Sequence, residues 1–149
     1  MVLYRIASRR YAPNNSEGAR LYGGRWNRPG TAAIYTSSTR SLAVLEVIVH
    51  NGAIPADYRV VLVEVPESVA IEFVEMQQLA RSWPSGSSYL ETADLGTEWA
   101  HSLRTAVLRV PSAVIPAEFN YILNPEHPDF SGIRFWVPEY EYIDDRLQG

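Results

Sequence analysis

The chain contains no cysteine, which excludes thiol nucleophiles, redox pairs and thiolate-bound zinc. It contains no lysine either: all thirteen of its basic residues are arginine. Schiff-base chemistry and a Walker-type phosphate lysine are thereby removed. A general replacement of lysine by arginine accounts for that bias as well as any function does. Whatever its origin, an anionic ligand here has to be gripped by guanidinium forks or backbone N–H groups. The three histidines, His50, His101 and His127, show no pair at helical ligand spacing, so no metal site is expected. No apolar run approaches the roughly 20 residues that span a bilayer. The opening Met-Val-Leu-Tyr-Arg-Ile lacks the basic region and long apolar stretch of a secretory signal. A cytoplasmic location without membrane association is the expectation. A formal charge of −4 and a pI near 5.4 provide no field to attract a polyanion, so nucleic acid is not an expected partner.

What is present fits one globular domain over residues 1–149, with 46% hydrophobic and 20% charged residues. Residues 2–7 alternate as a strand. Residues 9–28 are rich in Gly, Asn, Ser and Arg and predict a long polar loop, of the kind that is usually functional or mobile. Pro29-Gly30 turns into a short strand over 32–36. Ser37, Ser38 and Thr39 are N-cap candidates for a helix to His50, closed by Asn51-Gly52. Its Leu42, Leu45, Ile48 and Val49 fall at helical spacing and predict a buried stripe that includes Glu46. Further on, the pattern predicts a strand over 58–65, a short helix over 75–82, a loop over 83–88 and a helix over 95–103 with Trp99 inward. Three β segments follow, over 106–110, 120–123 and 133–137. Mixed strands with few helices make the expected fold class α+β, a single domain with a mainly antiparallel sheet core.

Three places carry candidate chemistry. In Gly23-Gly24-Arg25-Trp26-Asn27 paired glycines allow close backbone approach, and Arg25 can fork two phosphate oxygens; a structural turn with an exposed arginine reads equally from the same residues. Glu46 is a carboxylate among Leu and Val, so it either pairs with a neighbour or faces a cleft. Tyr35 closes the strand before that helix and is either a core residue or a third member of one cleft with Arg25 and Glu46. Ser112, in Val110-Pro111-Ser112, is pinned by prolines in an extended edge segment where its hydroxyl can serve a ligand. No nucleophile elbow surrounds it. His127 reads as a turn residue.

Taken in order, these strings are recognisable. Gly18-Ala19-Arg20-Leu21-Tyr22-Gly23-Gly24-Arg25-Trp26-Asn27 resembles the opening motif of the RES domain, and Tyr35-Thr36-Ser37, residues 42–46, Leu95-Gly96-Thr97-Glu98-Trp99, Val110-Pro111-Ser112, Asn120, Asn124-Pro125-Glu126-His127-Pro128 and Asp145-Arg146-Leu147 follow in the same sequence. The resemblance covers nearly the whole chain, with residues 53–83 matching only as a strand and helix pattern. It implies an ADP-ribosyltransferase-like fold and the toxin half of a type II toxin–antitoxin system. It also implies NAD⁺ as the molecule consumed and an Xre-like helix-turn-helix antitoxin as partner. The family's arginine, tyrosine, glutamate and serine then fall on Arg25, Tyr35, Glu46 and Ser112, with Arg25, Tyr35 and Ser112 also expected to bind NAD⁺. Two alternatives stand beside NAD⁺ degradation: mono-ADP-ribosylation of a protein target, and a catalytically silent module that only binds its partner.

Overall fold

One seven-stranded sheet organises the computed structural model, which describes residues 1–79, 83–85 and 89–149. The strands are β1 (Val2–Ser8), β2 (Ile34–Ser37), β3 (Tyr58–Glu64), β4 (Ile71–Phe73), β5 (Val107–Pro111), β6 (Phe119–Leu123) and β7 (Arg134–Trp136). They are joined by α1 (Glu17–Tyr22), α2 (Arg40–Asn51) and α3 (Tyr89–Ser102). The spatial order is β4-β5-β6-β2-β1-β3-β7, and only the β4–β5 pair is parallel. The α+β architecture expected from the sequence is the one observed.

Alternation along the strands gives the sheet two apolar faces. On one face Leu3, Ile34, Val61, Val63, Val107 and Leu123 pack together with Ile71 and Phe135. Ile71 lies on the strand at one end of the sheet and Phe135 on the strand at the other, so the sheet curls to enclose this face. The opposite face carries two separate clusters. Over β1 and β3, Ile6 and Val60 pack with Ala43, Val47 and Ile48 of α2. Over β5 and β6, Leu108, Val110 and Ile122 pack with Trp26 and with Trp99 and Ala100 of α3. Each fully buried aliphatic side chain contributes on the order of 1.5–3 kcal/mol, so both helices are held firmly. Between the clusters runs β2. Tyr35 opposes Ile122 and Ser37 opposes Asn120, and directly opposed side chains share a face. A polar strip is thereby set between two apolar anchors.

Helix α2 begins and ends where its caps place it. Thr39 Oγ1 accepts from Leu42 N at 3.1 Å, and Gly52 takes φ +85° just past the end. Its buried stripe differs from the expected one. Leu42 and Ala43 are buried, whereas Leu45 and Val49 are 39% and 66% exposed. With Ser41 they make an i, i+4, i+8 row turned away from the sheet. Glu46, four residues after Leu42, keeps the inward position predicted for it, but it does not share a stripe with Val49.

Other departures have identifiable causes. The loop expected over 9–28 contains α1, a six-residue helix with no buried residue and hence no apolar period to detect. Burial pushes Arg5 down to about 10, and its guanidinium donates to the carbonyls of Pro13 and Asn15, tying the start of this segment to β1. The helix expected over 75–82 shrinks to a 3₁₀ turn, Met76–Gln78, with residues 80–82 outside the described ones. Of the loop expected over 83–88, residues 83–85 form a turn and 86–88 lie outside the described residues. The three-residue β4 was too short to read. Helix α3 starts at Tyr89 and not near residue 95, because Thr92, Ala93, Gly96 and Ala100 supply much of its buried face beside Trp99. Small side chains do not register as an apolar stripe.

Gly96 shows what that small face is for. A Cβ built there would stand 1.8 Å from the carbonyl oxygen of Trp26, so α3 presses its backbone against the loop that precedes β2. Gly96→Ala is expected to force the two apart, at a cost of about 1–3 kcal/mol or more. Thermal unfolding should show a midpoint several degrees lower; an unchanged midpoint would mean that the two backbones are not in contact.

Candidate active site

The loop carrying Arg25 is tied down from three sides. Gly24 and Asn27 exchange backbone hydrogen bonds across a tight turn, with Gly24 N donating at 3.0 Å and Asn27 N at 3.4 Å. From β2, the Tyr35 hydroxyl donates to Asn27 Oδ1 at 2.6 Å and accepts from Trp26 N at 3.0 Å. A Cβ on residue 24 would fall 2.6 Å from that hydroxyl oxygen, which is why glycine stands there. From α3, Thr92 Oγ1 donates to the Arg25 carbonyl at 2.7 Å, and Thr97 Oγ1 accepts from Arg28 N at 2.8 Å. Asn27 Nδ2 closes the arrangement by donating to the carbonyls of Ala19 and Thr31, both at 2.9 Å. The backbone of Arg25 is therefore fixed, and its guanidinium lies 5.4 Å from the centre of the Tyr89 ring. Its Nη1 is buried without a hydrogen-bond partner among the described residues. Buried unpaired donors are costly, and an anionic oxygen is the partner a guanidinium fork fits best. Arg59 and Arg109 also bury an unpaired Nε; Arg109 is sandwiched between Phe73 and Phe119, away from this loop.

Glu46 projects from α2 into a second polar group. Its Oε1 accepts from Ser112 Oγ and from Asn120 Nδ2, both at 2.7 Å. Ser112 Oγ in turn accepts from the backbone N–H groups of Val114 and Ile115, each at 3.0 Å. Asn120 Oδ1 accepts from Ser37 Oγ at 2.7 Å. Oε2 of Glu46 has no partner among the described residues. Ser112 does not occupy the open edge segment expected for it: just past β5, it is 0% exposed. Its hydroxyl has one proton and two lone pairs, and all three are engaged within the protein.

The two groups meet along β2. Tyr35 touches the Arg25 loop, and Ser37, two residues on and on the same face, touches the Asn120–Glu46 pair. Two residues of strand span roughly 7 Å, so Arg25 and Glu46 flank one short length of sheet between α2 and α3. All four predicted residues lie on this strip. Among the described residues no group of three or more His, Asp or Glu could hold a metal ion, and no helix is long and apolar enough to cross a membrane. His127 is the turn residue it was expected to be, its Nδ1 accepting from Asp129 N.

This arrangement has relatives. The model of the RES domain matches residues 2–145. The chain belongs to the RES domain family. A protein of Yersinia enterocolitica named Toxin Res is 40% identical over 134 residues, covering 87% of this chain and 88% of that protein. A Sphingobium protein named Prs ADP-ribosylating toxin is 40% identical over 121 residues, covering 78% of this chain and 75% of its own. The fold also resembles a chain in the crystal structure of the Mycobacterium tuberculosis MbcT–MbcA toxin–antitoxin complex, with a TM-score of 0.72, 19% identity, and 92% of this chain and 83% of that one covered.

Within this RES domain the sequence had pointed to the arginine, tyrosine, glutamate and serine, and it had missed most of what holds them. Asn27, Ser37 and Asn120 are buried polar residues that a satisfied interior demands to be paired. Their signal was a polar residue inside an otherwise apolar segment, which is weak when strand boundaries are uncertain. Tyr89 and Thr92 were hidden because α3 begins six residues earlier than its apolar pattern suggests.

Tyr35 is a brace whichever chemistry the cleft performs. Burial pushes its phenol well above the ordinary tyrosine range, against the opposing pull of the Trp26 N–H. Tyr35→Phe leaves that N–H and Asn27 Oδ1 without their partner, and a loss of about 1–3 kcal/mol is expected from denaturant unfolding at neutral pH. A group with a raised folded pKa keeps its full contribution below its unfolded value, near 10 for tyrosine, and loses it as pH rises towards the folded one. The stability gap between parent and Tyr35→Phe should therefore narrow above about pH 10. A gap that stays constant or widens there would contradict the burial of an un-ionised phenol.

Proposed function

We propose that this RES domain is the toxin of a toxin–antitoxin system and that it degrades NAD⁺ by breaking the bond between nicotinamide and ribose. One observation carries the reading: a carboxylate with one oxygen held by two donors, across a short strip of sheet from an arginine, the other carboxylate oxygen and a buried guanidinium nitrogen having no partner among the described residues. Nicotinamide leaves NAD⁺ with the bonding electron pair and becomes neutral, so departure needs no general acid. The ribose left behind is oxocarbenium-like, as in glycoside cleavage. In this reading Glu46 Oε2 orients a ribose hydroxyl and stabilises that positive charge away from bulk water, where such interactions count for more. Arg25 is suited to clamp the pyrophosphate, which supplies binding energy that fixes the scissile bond. Tyr89, beside Arg25, adds an aromatic surface at the same end. Tyr35 and Ser112 support these groups from within. Water or inorganic phosphate then bonds to the ribose carbon and gives up its proton.

A second reading has its own support, because a relative of 40% identity bears the name Prs ADP-ribosylating toxin. The same bond breaks, with a protein side chain as acceptor. Release of nicotinamide reports all of these outcomes, and the fate of ADP-ribose with and without phosphate or protein separates them. Glu46→Gln, which keeps size and removes charge, is expected to lower nicotinamide release by at least about 100-fold with the thermal midpoint unchanged or raised. Arg25→Lys keeps charge and loses the fork, and a fall of about tenfold or more is expected, chiefly in kcat/KM. Near-parent turnover in Glu46→Gln would remove the carboxylate from the chemistry, and the same result in Arg25→Lys would remove the fork. Parent protein that releases no nicotinamide would leave the silent-module reading.

The partner proposed is an Xre-like antitoxin with a helix-turn-helix, which would make any DNA contacts in place of this acidic chain. Its inhibition is expected to work by covering the cleft, for example with a carboxylate on Arg25 where the pyrophosphate would lie. Titrating the co-purified partner into a nicotinamide-release assay should give inhibition that excess NAD⁺ relieves. Complete inhibition that NAD⁺ never relieves would place the partner elsewhere.

A further inference from the structure

The carboxylate of Glu46 is held by two side chains, Ser112 and Asn120. Ser112 Oγ accepts from Val114 N and Ile115 N, which leaves its single proton for Glu46 Oε1. Asn120 has two possible amide orientations, and Glu46 distinguishes them, because a carboxylate oxygen only accepts. Nδ2 therefore faces Glu46 Oε1 at 2.7 Å, and the Ser37 hydroxyl donates to Oδ1 on the other side, also at 2.7 Å. Both neighbours of Oε1 are thus donors, and the Asn120 amide is tethered at both ends. Asn120 and Ser37 are 9% and 4% exposed and sit opposite each other on β6 and β2, within the sheet and not on a loop.

Resting on the reading of Glu46 given above, we infer that Asn120, tethered by Ser37, is a positioning residue for catalysis. It anchors Oε1 so that Oε2 is the oxygen presented to the ribose. Ser37 acts only through Asn120. Without Ser37 the amide loses one of its two tethers and holds Oε1 less firmly. Without Asn120 the Glu46 side chain regains rotamer freedom, which appears as a lost orientation of the reacting groups. The consequence falls on turnover and not on NAD⁺ affinity, because Arg25 and its loop are held by Tyr35 and α3, independently of Asn120.

Steady-state nicotinamide release by the full chain tests this with five variants: Asn120→Ala, Asn120→Asp, Ser37→Ala, the Ser37→Ala/Asn120→Ala double variant and Glu46→Gln. Thermal unfolding checks the fold of each. Asn120→Ala should lower kcat by about tenfold or more with KM changed by no more than about threefold. Asn120→Asp should be the more damaging of the two, because it keeps the shape and the Ser37 contact but sets a second carboxylate against Glu46. A purely steric role predicts the opposite order. Ser37→Ala should lower kcat less than Asn120→Ala, and the double variant should match Asn120→Ala alone, as expected for residues acting in series. If Asn120→Ala does not fold, Asn120→Asp and Ser37→Ala carry the test alone. Parent-like kcat in folded Asn120 variants, or independent additive losses at Ser37 and Asn120, would overturn the inference while an inactive Glu46→Gln left the glutamate reading standing. Parent-like turnover in Glu46→Gln would overturn both.

Discussion

The carboxylate of Glu46 is where the fold closes on itself. One oxygen is gripped by Ser112, which follows β5, and by Asn120, near the start of β6. Glu46 itself comes from α2, more than sixty residues earlier in the chain. A charge in such a place is destabilising unless hydrogen-bonded. The two donors offset part of that cost and fix where the carboxylate points. The position of α2 over β1 and β3, set by its contacts with Ile6 and Val60, brings the glutamate to the strip from one side.

From the other side comes α3, and its task is different. It contributes no acid or base; it contributes a small-residue face on which the Trp26 backbone rests and two threonines that hold the Arg25 loop. The arginine therefore extends from a backbone with little freedom, while its side chain retains a buried donor without a partner among the described residues. Rigid support beneath an unpaired charged group is the arrangement that favours ligand binding without a large ordering cost. The two polar groups are linked through β2, whose Tyr35 packs against the cluster under α3 and whose Ser37 reaches Asn120.

Much of this was legible beforehand, for physical reasons that can be named. α2 has a threonine cap, an Asn-Gly stop and a charged residue on its inward face, and its limits and its glutamate could be read directly. Its buried side was read less well, because Leu45 and Val49 fit the helical period yet face outward; period alone does not say which stripe meets the sheet. The Arg25 loop could be recognised from its glycines, but α1 within it could not, since a helix without buried residues leaves no pattern. Ser112 is buried where an open edge segment was expected. Nothing local reveals that two backbone amides occupy the serine lone pairs. Pairings between distant strands, such as Ser37 with Asn120, exist only once the sheet order is known.

In the proposed complex NAD⁺ lies across β2, with its pyrophosphate at Arg25 and its nicotinamide ribose at Glu46. A crystal structure of the Glu46→Gln variant with NAD⁺ tests this most directly. The expected result is a ribose hydroxyl within hydrogen-bond distance of the residue 46 side chain and pyrophosphate oxygens on the Arg25 fork, with Ser112 and Asn120 still directed at residue 46. Intact NAD⁺ bound elsewhere on the molecule, or bound in the strip with its ribose away from residue 46, would contradict it.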